Sequence, residues 1–150
     1  MNAPLPVAAA DRALRQSEVV GALAALLPAH ALLWQAEDTV PYECDGLTAY
    51  RAQPLVVALP ENEAQVAAVL RACHALKVPV VARGAGTGLS GGALPNPMGV
   101  TLSLAKFNQI IKLDPASRTA VVQTGVRNLA ISEAAAPHGL YYAPDPSSQI

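Results

Sequence analysis

Charge, aromatic bulk and cysteine are all scarce in this chain. Of its 150 residues 14% are charged and the formal net charge is -1, which leaves no basic surface for holding nucleic acid or an anionic membrane. The two cysteines, Cys44 and Cys73, are too few and too far apart to suggest a metal site or a disulfide scaffold, and both read as reduced thiols. No apolar run is long enough to cross a bilayer, since the best one, Val19 to Leu33, is interrupted by Gly21, Pro28 and His30. The N-terminus also lacks a basic region followed by a sustained apolar core, so a cytoplasmic chain without a transmembrane segment is expected. What remains is 52% hydrophobic with only 4% aromatic residues, a composition that predicts one globular core built of thin, closely packed layers.

Glycine is concentrated where it carries meaning. Val78 to Gly92 reads VPVVARGAGTGLSGG, an apolar strand entering a loop with glycine at 84, 86, 88, 91 and 92. Each glycine costs about 0.5–1 kcal/mol more backbone entropy than alanine would, so a loop with a purely structural role gains nothing by collecting them. Glycines let consecutive N–H groups converge on one point and let a ligand approach the main chain, and phosphate oxygens are the usual ligand of such a nest.

The neighbouring residues narrow the type of nucleotide loop. Gly86 to Gly91 satisfies G-x-G-x-x-G after a strand, but a Rossmann loop opens a helix, and here Pro95 and Pro97 follow almost at once. A helix at residues 92 to 100 would be required by that reading, and the prolines oppose it. The same glycine spacing fits a P-loop, yet Gly92 and Ala93 stand where that motif needs Lys and Ser or Thr.

Around the loop, helical spacing of Leu14, Val19, Leu23, Leu26 and Leu27 predicts a helix from Asp11 to Leu27, and Trp34 to Pro54 reads as irregular. Leu55 to Leu59 is a short buried strand. Asn62 with Gln65 resembles a capping box that opens a helix with Val66, Val69, Leu70, Cys73 and Leu76 on one face. This helix feeds the strand Val78 to Ala82, which makes a strand–helix–strand crossover with the glycine loop at its carboxyl end. Val100 to Leu104 is a further strand. Asp114-Pro115-Ala116-Ser117 is a turn between Gln109–Leu113 and Thr119–Thr124, which predicts a hairpin, and Asn128 to Ala136 is helical. His30, His74 and His138 are isolated and receive no role. Glu43 and Asp45 read as a solvated acidic pair.

With those segments in place, the chain resembles the N-terminal part of the PCMH-type FAD-binding domain of the vanillyl-alcohol oxidase superfamily, in the branch of the glycolate oxidase D subunit and the D-lactate dehydrogenases. YECDGLTAYRAQPLVVALP, PVVARGAGTGLSGGA, VQTGVRN and YYAPDPSSQI carry the resemblance in order. It implies an α+β fold of small mixed sheets with flanking helices, with residues 1–54 as a helical and irregular lead-in and 55–150 as the FAD-binding domain, truncated at its C-terminal end. It further implies that Arg83, Gly84, Ala85, Gly86, Thr87, Gly88, Leu89, Ser90 and Gly91 line the FAD pyrophosphate site. Gly125 would close the pocket, and Pro144, Asp145, Ser147 and Ser148 would lie near the adenine and phosphate side. Relatives that tether flavin covalently carry histidine where Thr87 stands, so FAD is expected to be noncovalent.

The implied activity is oxidation of a 2-hydroxy acid, glycolate ahead of D-lactate, to a 2-oxo acid by hydride transfer to flavin N5. The base and the substrate-binding residues would lie beyond Ile150, and no residue here is named catalytic. A second flavin subunit and an iron–sulfur subunit are the implied partners, with any attachment to the inner membrane made through them. The competing expectation is a cofactor-binding or assembly fragment without turnover of its own.

Overall fold

The computed structural model describes residues 9–144 and divides into two compact units, Met1–Ser103 and Leu104–Ile150. In the first unit helix α1 (Ala9–Ala24) is followed by strand β1 (Leu32–Leu33), a single turn of helix α2 (Ala36–Thr39), strand β2 (Val56–Ala58), helix α3 (Glu63–Ala75), and strands β3 (Val80–Arg83) and β4 (Val100–Ser103). The sheet order is β1-β2-β4-β3. β4 pairs parallel with both β2 and β3, and β1 pairs antiparallel with β2. The strand–helix–strand crossover therefore forms with β4 inserted between its two strands.

The sheet centre is dry. Every residue of β2 and β4 is buried, as expected for parallel strands covered on both faces. Val19 and Leu23 of α1 and Val69 and Cys73 of α3 join Leu55 to Leu59, Val100 and Leu102 in one apolar cluster. Polar side chains of α1 fix its place: Arg12 donates to the Pro54 carbonyl at 2.9 Å and Gln16 to that of Leu55 at 2.7 Å. Leu14 is 74% exposed and Leu70 44%, so neither belongs to the buried stripe that helical spacing assigns it.

Local chemistry explains where α3 begins. The Asn62 side chain accepts from the Gln65 N–H at 3.0 Å, while the Gln65 carboxamide oxygen reaches back to the Glu61 N–H at 2.7 Å. The first bond satisfies a donor that a helix start leaves open, and the second ties down the residue before the cap.

In the second unit β5 (Ile110–Asp114) and β6 (Thr119–Val122) form an antiparallel hairpin, followed by α4 (Asn128–Ala135). Its turn closes through the Asp114 carboxylate, which accepts from the Ser117 N–H at 3.1 Å, and Arg118 takes a positive φ of 54°. No described helix is long and apolar enough to cross a membrane.

Candidate functional site

The glycine loop leaves the carboxyl end of β3, an edge strand, and returns to β4 through turns, with no helix between residues 92 and 100. That removes the Rossmann reading, which depends on a helix N-terminus at this point. Gly86 and Gly91 both have φ of +74°, a conformation that a Cβ penalises.

The other loop glycines are not explained by the fold. A Cβ placed on Gly84, Gly88 or Gly92 meets no described atom within 4 Å, and none of the three has a left-handed φ. Alanine would therefore fit the chain at each of them. The main-chain N–H groups from Gly84 to Gly92 likewise donate to no acceptor among the described residues. Leu94 is the first amide after them to turn inward, donating to the Gly91 carbonyl at 3.1 Å. A run of unpaired donors with side-chain-free approaches is the donor set that a phosphodiester anion requires.

The direction of two of these donors follows from the loop's rear contact. A Cβ on Gly46 would stand 2.7 Å from the Thr87 carbonyl oxygen and 2.9 Å from that of Gly88. The oxygens, rather than their carbons, are the nearest atoms, so both carbonyls point toward Gly46. All described peptides are trans, and in a trans peptide the N–H opposes the C=O. The N–H groups of Gly88 and Leu89 therefore face away from Gly46, toward the open side of the loop.

Arg83 ends β3 but its side chain turns back into the protein. Its Nη1 donates to the Cys44 carbonyl at 2.7 Å, and the guanidinium carbon lies 5.5 Å from the Tyr42 ring centroid. Thr87, Leu89 and Ser90 are exposed, as are Gly84, Ala85 and Gly88, whereas Gly86 and Gly91 are half-buried.

Beside the loop the acidic pair separates. Glu43 accepts from Arg51 at 2.6 Å near the surface. Asp45 is only 4% exposed, with Oδ1 accepting from the Leu47 N–H at 2.9 Å and Oδ2 without a partner among the described residues. The solvated reading thus fails for Asp45, because the segment carrying it folds against the loop through Gly46. Neither Asp45 nor Gly46 was singled out by sequence as part of a site. The signal that could have found Gly46 is its setting, a glycine in the irregular Trp34 to Pro54 stretch without a strand or helix to terminate.

Gly125 and Pro144 belong to the second unit. A Cβ on Gly125 would stand 2.5 Å from the Leu104 carbonyl oxygen and 2.8 Å from that of Phe107, and its N–H donates to Phe107 at 2.7 Å. Close backbone approach accounts for this glycine within its own unit. Pro144 is exposed. Asp145, Ser147 and Ser148 lie outside the described residues. The second unit also holds a cavity of about 450 Å³ between the hairpin and α4, lined by Leu113, Val122, Ile131, Leu140 and Tyr142 among others. None of the expected cofactor residues lines it.

The N–H groups of the loop fit the diphosphate of a dinucleotide. The family model "FAD binding domain" matches residues 54–150. The glycolate oxidase subunit GlcD of Escherichia coli strain K12 is 58% identical over 135 residues, which is 90% of this chain and 27% of that protein. A D-lactate dehydrogenase of Archaeoglobus fulgidus is 38% identical over 98 residues, 65% of this chain and 22% of its own length. Among solved structures, p-cresol methylhydroxylase with substrate bound superposes with a TM-score of 0.73 at 27% identity, covering 84% of this chain and 25% of that one. Alkyldihydroxyacetonephosphate synthase reaches a TM-score of 0.77 at 19% identity, over 89% of this chain and 27% of its own, and shares the fold. The chain thus spans only 27% and 22% of the two relatives. With an α+β fold and a matching model from residue 54 onward, the chain belongs to the FAD binding domain family.

Proposed function

We propose that this chain is the N-terminal FAD-binding portion of a flavin-dependent 2-hydroxy-acid oxidoreductase, with glycolate ahead of D-lactate as substrate. The observation that carries the reading is the run of N–H groups from Gly84 to Gly92 without an acceptor among the described residues, at the end of an edge strand. In this reading Arg83, Gly84, Ala85, Gly86, Thr87, Gly88, Leu89, Ser90 and Gly91 form the pyrophosphate wall through their backbone, and Gly125, Pro144, Asp145, Ser147 and Ser148 complete the cofactor site.

A hydrogen bond to a charged group contributes about 1.5–3 kcal/mol, and micromolar affinity needs about 8 kcal/mol, so a few loop amides supply much of the anchoring. Burial of the ring system supplies the rest. Thr87 has no nucleophilic nitrogen, which favours noncovalent FAD. The chemistry FAD supplies when bound is acceptance of a hydride at N5 from the α-carbon of the 2-hydroxy acid. The protein's part is orientation, exclusion of water, and a base for the hydroxyl proton carried by residues after Ile150.

The GlcD relative is named as a subunit, which supports assembly with partner subunits, and a second flavin subunit and an iron–sulfur subunit are the ones this reading assigns. Titration of the deflavinated full-length protein with FAD, followed by anaerobic addition of glycolate and, separately, D-lactate, tests the proposal. Tight binding with bleaching of the flavin absorbance by either acid is expected. Bound flavin that neither acid reduces would refute the assigned substrate class, and failure to bind FAD would refute the site.

A further inference from the structure

The segment behind the glycine loop lies before residue 54, outside the stretch matched by the family model, yet it meets the loop at three points. Gly46 receives the Thr87 and Gly88 carbonyls so closely that a Cβ there would stand 2.7 and 2.9 Å from their oxygens. The Cys44 carbonyl accepts from Arg83 at 2.7 Å, and the Tyr42 ring faces the same guanidinium at 5.5 Å. From the loop's side, a Cβ on Gly86 would overlap the Arg83 guanidinium, so that group lies directly beneath the left-handed turn at Gly86.

We propose that Tyr42, Cys44 and Gly46 form a rear wall that sets the direction of the loop's N–H groups, and that Arg83 is a strut within this wall rather than the counter-charge of the phosphates. The proposal rests on the FAD reading above and names the residues that give its site a shape. A cation serving the diphosphate needs its N–H fork on the open side of the loop. Here the fork is turned to the opposite side, held by a carbonyl, a ring face and the Gly86 turn. Arginine suits that place because its guanidinium is flat and donates in its own plane while stacking through its face, which an ammonium cannot do. Gly46 is required on independent grounds, since any side chain would push the Thr87 and Gly88 carbonyls away and rotate the amides of Gly88 and Leu89 with them. These are positioning residues, and they act through the loop.

The test measures FAD dissociation constants, as a function of salt, for the full-length protein and its Gly46→Ala, Arg83→Lys and Arg83→Met variants and the Gly46→Ala/Arg83→Met double variant. It also records the phosphorus resonances of bound FAD. Gly46→Ala, which changes no charge, is expected to weaken binding by about tenfold or more, the equivalent of one lost charge-assisted hydrogen bond. Arg83→Lys is expected to weaken it as much as Arg83→Met, the double variant no more than the worse single one, and the salt dependence to stay as in wild type. The diphosphate resonances should move in the same direction in both single variants. Wild-type affinity in Arg83→Lys, together with a flattened salt dependence in Arg83→Met, would overturn the strut in favour of a counter-charge. Wild-type affinity in Gly46→Ala would overturn the wall. If Gly46→Ala fails to fold, Tyr42→Leu takes its place, removing the ring and leaving Gly46 untouched, with the same expected weakening and the same refuting result. A wild-type protein that binds no FAD would instead remove the reading on which the inference rests.

Discussion

Replacing Gly88 with alanine separates what the glycine loop does for the fold from what it does for a ligand. The backbone at Gly88 is not left-handed, and a Cβ there meets nothing described within 4 Å. For the apoprotein, alanine at such a position lowers the entropy of the unfolded chain and stabilises by about 0.4–1 kcal/mol. For the complex, the methyl carbon projects about 1.5 Å from a main chain whose amides would otherwise touch the diphosphate. Displacing the ligand by that distance disrupts the bonds from Gly88 and one neighbour, about 3–6 kcal/mol at the usual strength of hydrogen bonds to charged groups, or about a 10²- to 10⁴-fold loss of affinity. Thermal denaturation of the apo form and FAD titration by fluorescence quenching check the two halves. Gly21→Ala serves as the control, because Gly21 also has open space and lies within α1, so its variant should gain stability and keep wild-type affinity. A Gly88→Ala protein that binds FAD as tightly as wild type would refute the reasoning, since the open side of the loop would then not be the ligand's side.

Gly125→Ala should lower stability by about 1–3 kcal/mol through overpacking, because its Cβ would press on the Leu104 and Phe107 carbonyls; urea denaturation followed by circular dichroism measures it. Burial pushes the Cys73 thiol up from its ordinary value, and the residue is 1% exposed where Cys44 is half-buried, so iodoacetamide should label Cys44 first and Cys73 only on unfolding. The Ser117 N–H holds the Asp114 carboxyl below its ordinary value. The ionised form is thus favoured in the folded hairpin, and its contribution is complete above the unfolded-state value and is lost as pH falls through the folded one. Asp114→Asn should therefore flatten the acid limb of stability against pH, and an unchanged limb would show that the turn does not depend on that charge.

Much of this architecture is local enough to be written in the residues themselves. The cap at Asn62, the turn at Asp114 to Ser117 and the prolines that bar a helix after the loop each act within a few residues of where they stand, and each appears where sequence reasoning puts it. The resemblance and the glycine cluster likewise lead to the family that the comparisons return. What stayed hidden depends on distant partners. Leu32–Leu33 is a strand only because β2 lies beside it, and two residues carry no periodicity. The place of β4 between β2 and β3 is decided by pairing across the whole unit. Asp45 has the composition of a loop residue, yet it is buried next to Gly46, which meets carbonyls far along the chain.

The parallel pairing of β3 with β4 has a consequence for how this region tolerates change. A chain leaving the top of one strand must travel back to the bottom of its parallel neighbour, a journey usually made by a helix. Here it is made by turns, and the stretch from Leu94 to Gly99 covers the homeward half, docking where the Gly99 N–H meets the Asn96 carbonyl at 2.9 Å. Residues inserted in that homeward half lengthen a tether at small entropic cost, whereas residues inserted between Gly84 and Gly91 would scatter the N–H groups that the proposed cofactor site needs together. Natural variation in length should accordingly gather after Leu94 and be missing before it.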